Sequence, residues 1–391
     1  MDFSFNYGGK SITYKDLKDG VTDKNLSITV KTHKYNEFNA TEWVLWFENS
    51  GEKDSKIISD INDCDMILPF DIDRADRRSM YIPKKTDLCV VSMNGMVESD
   101  RYWENARECF DEYTFNYDYL YKLPHSTKKF ANRGGRSSDK YVPIFDVTQN
   151  NKGYIVAIGW TGDWKAEFTE CENGVHVKTG LKETNFYLKP NEKIRTSSVL
   201  IMEYDENEDK YNKFRRLIKN HFSHMACTKA DKEGLFAAGF FGSVPSENIV
   251  RHIKKLAENG ITFDEIWIDA GWYGKCQPNS MSDWDACVGE WDIHEETHPK
   301  RFQDVLEEAK KTNSKIMFWI EPERARSNTN VINAHPDWFL SLPGTTNNIL
   351  NYGNKDAWNY VYDMISGYIE ELEISCYRQD YNVPLTSFFA G

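Results

Sequence analysis

Paired cysteines, a surplus of basic residues and a long apolar run are all missing from this sequence. None of the eight cysteines (Cys64, Cys89, Cys109, Cys171, Cys227, Cys276, Cys287 and Cys376) forms a C-x-x-C pair. They read as ordinary reduced thiols, and a disulfide between Cys276 and Cys287 is not expected. The 48 Lys and Arg are outnumbered by 61 Asp and Glu, for a net charge of −13. A nucleic-acid binder needs a basic face, so nucleic acid is not an expected partner. No apolar stretch approaches the ~20 residues of a membrane span, so no membrane partner is expected. The segment MDFSFNYGGK lacks a basic region followed by an apolar core. No signal peptide is therefore expected, and the protein reads as soluble and cytoplasmic. The acceptor triplets at Asn25 and Asn39 are accordingly expected to be bare.

What the chain does have is length and aromatic mass. Its 391 residues suffice for two domains with full cores or for one large one, and 40% hydrophobic content marks it as globular. Aromatics make up 14% of the residues, with 12 Trp. That supply fits large cores, and it equally fits sugar binding, where a ring face packs on the apolar C–H face of a pyranose.

Two rhythms divide the chain. Residues 1–205 read as short strands and turns: Leu26, Ile28 and Val30 alternate, 43–47 (WVLWF) and 154–160 (YIVAIGW) are strand-like, and Trp164, Ala166 and Phe168 run into Asn173-Gly174, a hairpin signal from which Val175 and Val177 return. A further strand pair is expected around Pro190-Asn191. This spacing predicts an antiparallel β-sandwich. The loop 132–140 (NRGGRSSDK) lacks the context of a phosphate cradle. Residues 206–230 read as a connecting helix and linker, with Tyr211, Phe214, Leu217, Ile218 and Phe222 at helical spacing.

From 231 to 391 strands alternate with helices. Residues 236–241 (FAAGFF), 263–268 (FDEIWI), 315–320 (KIMFWI) and 374–379 are expected as buried strands. Between them fall a helix capped by Ser246 and closed by Asn259-Gly260, one opened by Pro299 with Phe302, Val305, Leu306 and Ala309 along it, and one over 355–371 with Trp358, Val361, Ile365, Tyr368 and Leu372 on one side. Such alternation predicts a parallel sheet with right-handed crossovers.

The stretch His294-Glu295-Glu296-Thr297-His298 fits the H-E-x-x-H pattern of zinc proteases, which works only on a helix. Pro299 pushes His298 out of helical geometry, so the two histidines cannot share a helix face. They are expected in a loop on or near the surface, with no metal.

Three strands end in acids, at Asp269, at Glu321 with Glu323 beyond it, and at Asp380. In β/α barrels chemistry gathers at the carboxyl ends of the strands. A lone strand-end acid is as often a helix cap. Three in series, beside Trp267, Trp272, Trp291 and Trp319, favour a sugar site. Glycosidases pair one ionised carboxylate with one protonated carboxylic acid. Asp380, beside Arg378, is the candidate for the ionised one.

At these residues the sequence resembles glycoside hydrolase family 36, the melibiase-type α-galactosidases. The likeness runs through GGRSSD (134–139) and IGWTGDW (158–164), then IDAGW (268–272), GEW (289–291), FWIEPE (318–323), HPDW (335–338) and YRQDYN (377–382). It implies a retaining α-glycosidase: an N-terminal antiparallel β-sandwich, then the first half, strands 1–4, of a catalytic (β/α)8 TIM barrel. No cofactor and no metal are implied. The family nucleophile falls on Asp380. Asp269, Trp319, Arg378 and Asn382 inherit contacts to sugar hydroxyls, and Trp272 and Glu321 join them as expected substrate-binding residues. The implied partner is a small carbohydrate, an α-galactoside oligosaccharide or glycoconjugate, and a homo-oligomer is an option.

Two departures stand out. Ala270 replaces the second of two adjacent acids in many relatives, and Arg378 stands where many have Lys, keeping the charge but presenting a planar fork. No residue here matches the family's acid/base aspartate, which lies in later strands. The 391-residue chain is accordingly expected to be poorly stable as a half barrel, and slow or inactive on α-galactosides. The alternatives are an α-N-acetylgalactosaminidase, a transglycosylase, or a non-catalytic carbohydrate-binding protein.

Overall fold

The computed structural model describes residues 1–18, 25–70, 88–95, 115–120, 126–132, 135–223, 234–383 and 386–389. The chain separates into two compact units, Met1–His224 and Met225–Gly391.

In the first unit, alternation decides which side chains go inside. The strand Ala40–Asn49 buries Trp43, Leu45 and Phe47 and leaves Val44 and Trp46 half-exposed. It belongs to a seven-stranded antiparallel sheet with Leu26–Tyr35, Lys193–Tyr204, Lys152–Gly159, Ile144–Gln149, Cys89–Met93 and Phe115–Tyr119. A four-stranded sheet, Cys64–Pro69, Gly174–Leu181, Trp164–Cys171 and Thr127–Ala131, supplies the other face. Trp43, Phe47, Phe145 and Val156 from the larger sheet and Trp164, Phe168 and Val177 from the smaller share one core cluster, the packing of a β-sandwich. A third small sheet joins Ser4–Tyr7, Lys10–Thr13, Ile58–Asn62 and Asn185–Phe186.

The Asn173-Gly174 hairpin forms as expected, from Trp164 opposite Leu181 to Cys171 opposite Gly174. A Cβ on Gly174 would fall 1.9 Å from the Leu68 carbonyl oxygen, so this close strand approach requires glycine. The strands flanking Pro190-Asn191 do not pair with each other, contrary to the sequence expectation. Asn185–Phe186 pairs with Ile58–Asn62, whereas Lys193–Tyr204 lies between Ala40–Asn49 and Lys152–Gly159. The turn, with Asn191 at φ 61°, carries the chain from one sheet to the other.

The connecting helix runs over Lys210–Leu217, capped by Asp209, and continues as a π-helical turn, Ile218–Phe222. Leu217, Phe214 and Ile218 pack against Tyr35, Phe38, Leu200 and Met202, so this helix is part of the first unit; Tyr211 and Phe222 are exposed. The linker expected over the residues that follow lies outside the described residues.

The second unit is built on four parallel strands in sequential order: β1 (Ala237–Phe240), β2 (Glu265–Ile268), β3 (Lys315–Ile320) and β4 (Cys376–Gln379). The helices between them are α1 (Ser246–Glu258), α2 (Gln303–Lys311) and α3 (Lys355–Glu371). Ile266, Ile268, Ile316, Phe318 and Ile320 on one face of the sheet form a core with Ile249, Ile253, Val305, Leu306 and Tyr368 from the helices. This is the first half of a (β/α)8 barrel. A three-stranded antiparallel sheet, Arg324–Arg326, Phe339–Ser341 and Asn347–Leu350, fills the connection between β3 and α3.

Several local expectations change here. β1 is not a buried strand: its residues are half-buried or exposed, because it is an edge strand of an open sheet. Trp267 of β2 is likewise 38% exposed on the face away from the helices. Ser246 begins α1 but does not cap it; its hydroxyl is taken by His298. Trp358 is exposed rather than part of the α3 core face, stacked on Tyr362 under the Lys355 ammonium. Pro299 does not open α2, which starts at Gln303. Arg301 (φ 50°) and Phe302 (φ 64°) first turn the chain through left-handed geometry. That turn inserts Phe302, 3% exposed, into the barrel core, and burying an aromatic ring outweighs the ~1–2 kcal/mol per residue of left-handed backbone.

Candidate active site

The carboxyl ends of β2, β3 and β4 bring together most of the residues named from the sequence. Parallel register sets Trp319 opposite Arg378, and the Asp380 N–H donates to the Ile320 carbonyl at 3.0 Å. Strand side chains alternate, so Arg378 and Asp380 share one face and Tyr377 and Gln379 the other. The chain end of β1 supports the next loop. A Cβ on Gly242 would lie 2.5 Å from the Asp269 carbonyl oxygen and 2.6 Å from the Trp272 nitrogen, so glycine permits this contact.

Asp380 is half-buried. Its Oδ2 accepts from Trp319 Nε1 at 2.9 Å and from Asn382 Nδ2 at 2.9 Å. Burial pushes its carboxyl up, but these two bonds, the Tyr381 backbone N–H and the Arg378 cation together hold it below the usual carboxylate range. Asp380 is thus an ionised, oriented carboxylate. The sequence credited Arg378; the structure gives Trp319 and Asn382 the larger share. Arg378 instead pairs with Asp269, Nη1 to Oδ2 at 3.2 Å, both partly open to solvent.

Two expected sugar contacts take other places. Trp272 is fully buried and donates Nε1 to the Trp319 carbonyl at 2.9 Å, so it carries Trp319 rather than reaching a ligand. Glu321, 1% exposed, has both oxygens engaged: Arg324 grips them at 2.9 and 2.7 Å, and the Asn382 backbone N–H donates at 2.7 Å. A carboxylate so enclosed cannot meet a sugar hydroxyl; it shapes the loop that carries Asn382. Glu323 bonds Gln379, on the opposite face of β4 from Asp380, and burial raises its carboxyl above the usual range. Trp319 itself is 1% exposed, with its indole N–H committed to Asp380. Asn382 is exposed, and Asp269 and Arg378 are open as well.

Arg324 and Asp285 escaped sequence reasoning. Arg324 Nη1 bonds Asp285 Oδ1 at 2.7 Å, and Asp285 also binds Arg326. An arginine three residues after a strand-end glutamate was the available signal. His298 corrects a second expectation: it is fully buried, not near the surface. Its Nε2 faces the Gly242 carbonyl at 2.6 Å, which only accepts, so Nε2 carries the proton and Nδ1 accepts from Ser246 Oγ at 2.8 Å. Both nitrogens are therefore used, and His294 and His298 lie in a turn, not on a helix. No cluster of three or more metal-ligating side chains occurs among the described residues. Cys276 and Cys287 are free thiols in hydrogen-bond contact with each other; Cys109, Cys227 and Gly134 lie outside the described residues. No helix among the described residues is long and apolar enough to cross a membrane.

The sequence pattern of the Melibiase family matches residues 202–390. The α-galactosidase AgaA of Geobacillus stearothermophilus is 22% identical over 380 residues, 92% of this chain and 47% of that protein. The chain is similar to the melibiase-type α-galactosidases, the family pattern covering just under half of it. The crystal structure of the family 36 α-galactosidase AgaB from the same organism superposes with a TM-score of 0.68 at 17% identity, over 92% of this chain and 47% of that one. The galactosidase domain of the α-galactosidase–sucrose kinase AgaSK gives 0.70 at 18% identity, over 94% and 48%. The family 36 fold therefore spans both units. The chain covers under half the length of the curated relatives it matches, with coverages of 37%, 30%, 38% and 47% for four of them.

Proposed function

We propose that the protein is a retaining α-galactosidase that acts through a covalent glycosyl-enzyme on Asp380. The observation that carries this reading is the Asp380 carboxylate itself: ionised, fixed through Oδ2 by Trp319 and Asn382, and partly open at the rim of the half barrel. An Asp380 oxygen attacks the anomeric carbon as the bond to the leaving oxygen breaks and that oxygen takes a proton. Water then attacks the anomeric carbon, the Asp380–sugar bond breaks, and a proton is returned to the acid/base group. Asp269, Arg378 and Asn382 hold ring hydroxyls. The chain of 391 residues contributes the nucleophile and half the pocket. Among its strand-end acids none is free to protonate the leaving group: Glu321 is enclosed by Arg324, Asp269 is paired with Arg378, and Glu323 lies behind β4. That acid is assigned to the second half of the barrel.

The substrates proposed are α-galactosyl oligosaccharides. AgaA variants have been crystallised with raffinose and with stachyose. Ala270 is buried, and its carbonyl accepts from the Gly242 N–H at 2.8 Å, so at this strand end Asp269 is the acid left to hold galactose hydroxyls. The domain reading follows: a sandwich unit, a connecting helix and a catalytic half barrel.

The test is turnover of an aryl α-galactoside and of raffinose by the full-length protein, with Asp380→Asn alongside. Loss of at least a thousandfold in kcat is expected. An activated fluorogalactosyl fluoride should label the peptide containing Asp380, and a label on any other residue would overturn the assignment.

A further inference from the structure

A line of contacts runs from a surface loop to the nucleophile. Asp285, in the loop after β2, accepts from Arg324 Nη1 at 2.7 Å. Arg324, 3% exposed, lies over the Trp284 ring and grips Glu321 with two parallel bonds, Nε to Oε1 at 2.9 Å and Nη2 to Oε2 at 2.7 Å. Glu321 in turn fixes Asn382 twice, through its backbone N–H at 2.7 Å and its side-chain Nδ2 at 3.3 Å. The same Nδ2 donates to Asp380 Oδ2 at 2.9 Å. One amide thus stands between two carboxylates, one buried and one at the site.

We propose that Arg324 is a positioning residue for Asp380, acting through Glu321 and Asn382, with Asp285 anchoring it. It touches no substrate. This rests on the reading of Asp380 as the nucleophile and deepens it. Arg324 does two things that Glu321 cannot do alone. Its planar fork matches both carboxylate oxygens, fixing the Glu321 rotamer and hence where the Asn382 amide points. Its charge also cancels that of Glu321. Without it a buried, unpaired anion would sit one amide away from Asp380, and a like charge so close disfavours ionisation of both.

The groups facing this relay set the terms of any pH effect. Asp380 meets Arg378 from its own strand, Trp319 from β3 and Asn382 from the loop beyond β4, with Asp269 reaching it through Arg378. Glu321 meets Arg324 and Asn382, and its charge is felt by Tyr273 and by Glu323. Asp285 meets Arg324 and Arg326. Arg324 is the cation bonded to Glu321, so its removal leaves that charge uncompensated.

The experiment is the pH profile of kcat/KM and the separate kcat and KM values for the full-length protein carrying Arg324→Met, Asp285→Asn, or Arg324→Met with Glu321→Gln. Arg324→Met should lower kcat on the order of a hundredfold, change KM far less, and move the acidic limb to higher pH. Asp285→Asn, at a half-exposed position, should fold and shift the limb in the same direction by less. The double variant removes the stranded charge and should bring the acidic limb back towards wild type. A merely structural role for Arg324 would make the double variant worse than the single one. An unmoved limb in Asp285→Asn and in folded Arg324→Met, or a double variant without recovery, would overturn the proposal. Fluorosugar labelling of the wild-type protein keeps the readings apart: label on Asp380 with unmoved limbs sinks the relay alone, whereas label elsewhere sinks the nucleophile.

Discussion

The indole N–H of Trp319 donates to Asp380 Oδ2 at 2.9 Å across neighbouring parallel strands. Trp319 is 1% exposed, packed by Tyr273, Trp284 and Trp291. The ring's place is set by packing, so its hydrogen bond is aimed before any ligand arrives.

Trp319→Phe keeps most of that packing and removes the donor. A hydrogen bond to a charged group contributes roughly 1.5–3 kcal/mol, or about ten- to a hundredfold in rate. On the proposed mechanism kcat/KM at neutral pH should fall by that factor. The bond lowers the Asp380 pKa, so its loss should move the acidic limb upward. An unchanged limb would show that the bond does not favour the ionised form.

His298 makes stability depend on pH. Burial pushes its pKa down to about 4, against the opposing effect of the Gly242 carbonyl. An unfolded histidine titrates near 6.5. Above that pH both states are neutral and His298 contributes no pH dependence. As pH falls, the unfolded chain takes up the proton first, so stability is lost between about 6.5 and 4, by roughly 3 kcal/mol in all. Urea unfolding at pH 7.5 and 4.5, for wild type and His298→Gln, isolates this contribution. Equal losses in both proteins would refute a buried neutral imidazole.

The thiols of Cys276 and Cys287 differ through one contact. Cys276 donates to Cys287, which lowers the Cys287 pKa below the ordinary thiol value and raises that of Cys276. Cys287 is half-buried and Cys276 is 1% exposed. Iodoacetamide should therefore modify Cys287 ahead of Cys276, with a midpoint below the ~8.5 of a free thiol. Cys276→Ala should raise that midpoint. Mass spectrometry of the two peptides against pH checks both outcomes.

Much of the fold was legible because hydrophobic periodicity is local. Alternation placed Trp43, Leu45, Phe47 and the 164–181 hairpin. Strand–helix order placed β2, β3, β4 and α3, and strand ends placed Asp269, Glu321 and Asp380. The misplaced details depend on contacts distant in sequence. Pairing across Pro190-Asn191 failed because the partner strands are Ile58–Asn62 and Ala40–Asn49. The α2 start moved because Phe302 gains more from the core than Pro299 gains from opening a helix.

The sequence by itself determined a two-part β and β/α chain with acids at successive strand ends, since both follow from periods of two and 3.6 residues and from the position of each strand's last residue. Tertiary structure decided what surrounds those acids. Glu321 and Asp380 are both strand-end carboxylates, yet Arg324 encloses one while Trp319 and Asn382 donate to the other and leave it half-buried. The difference comes from burial and from which long-range donors reach each oxygen, and no local pattern encodes either.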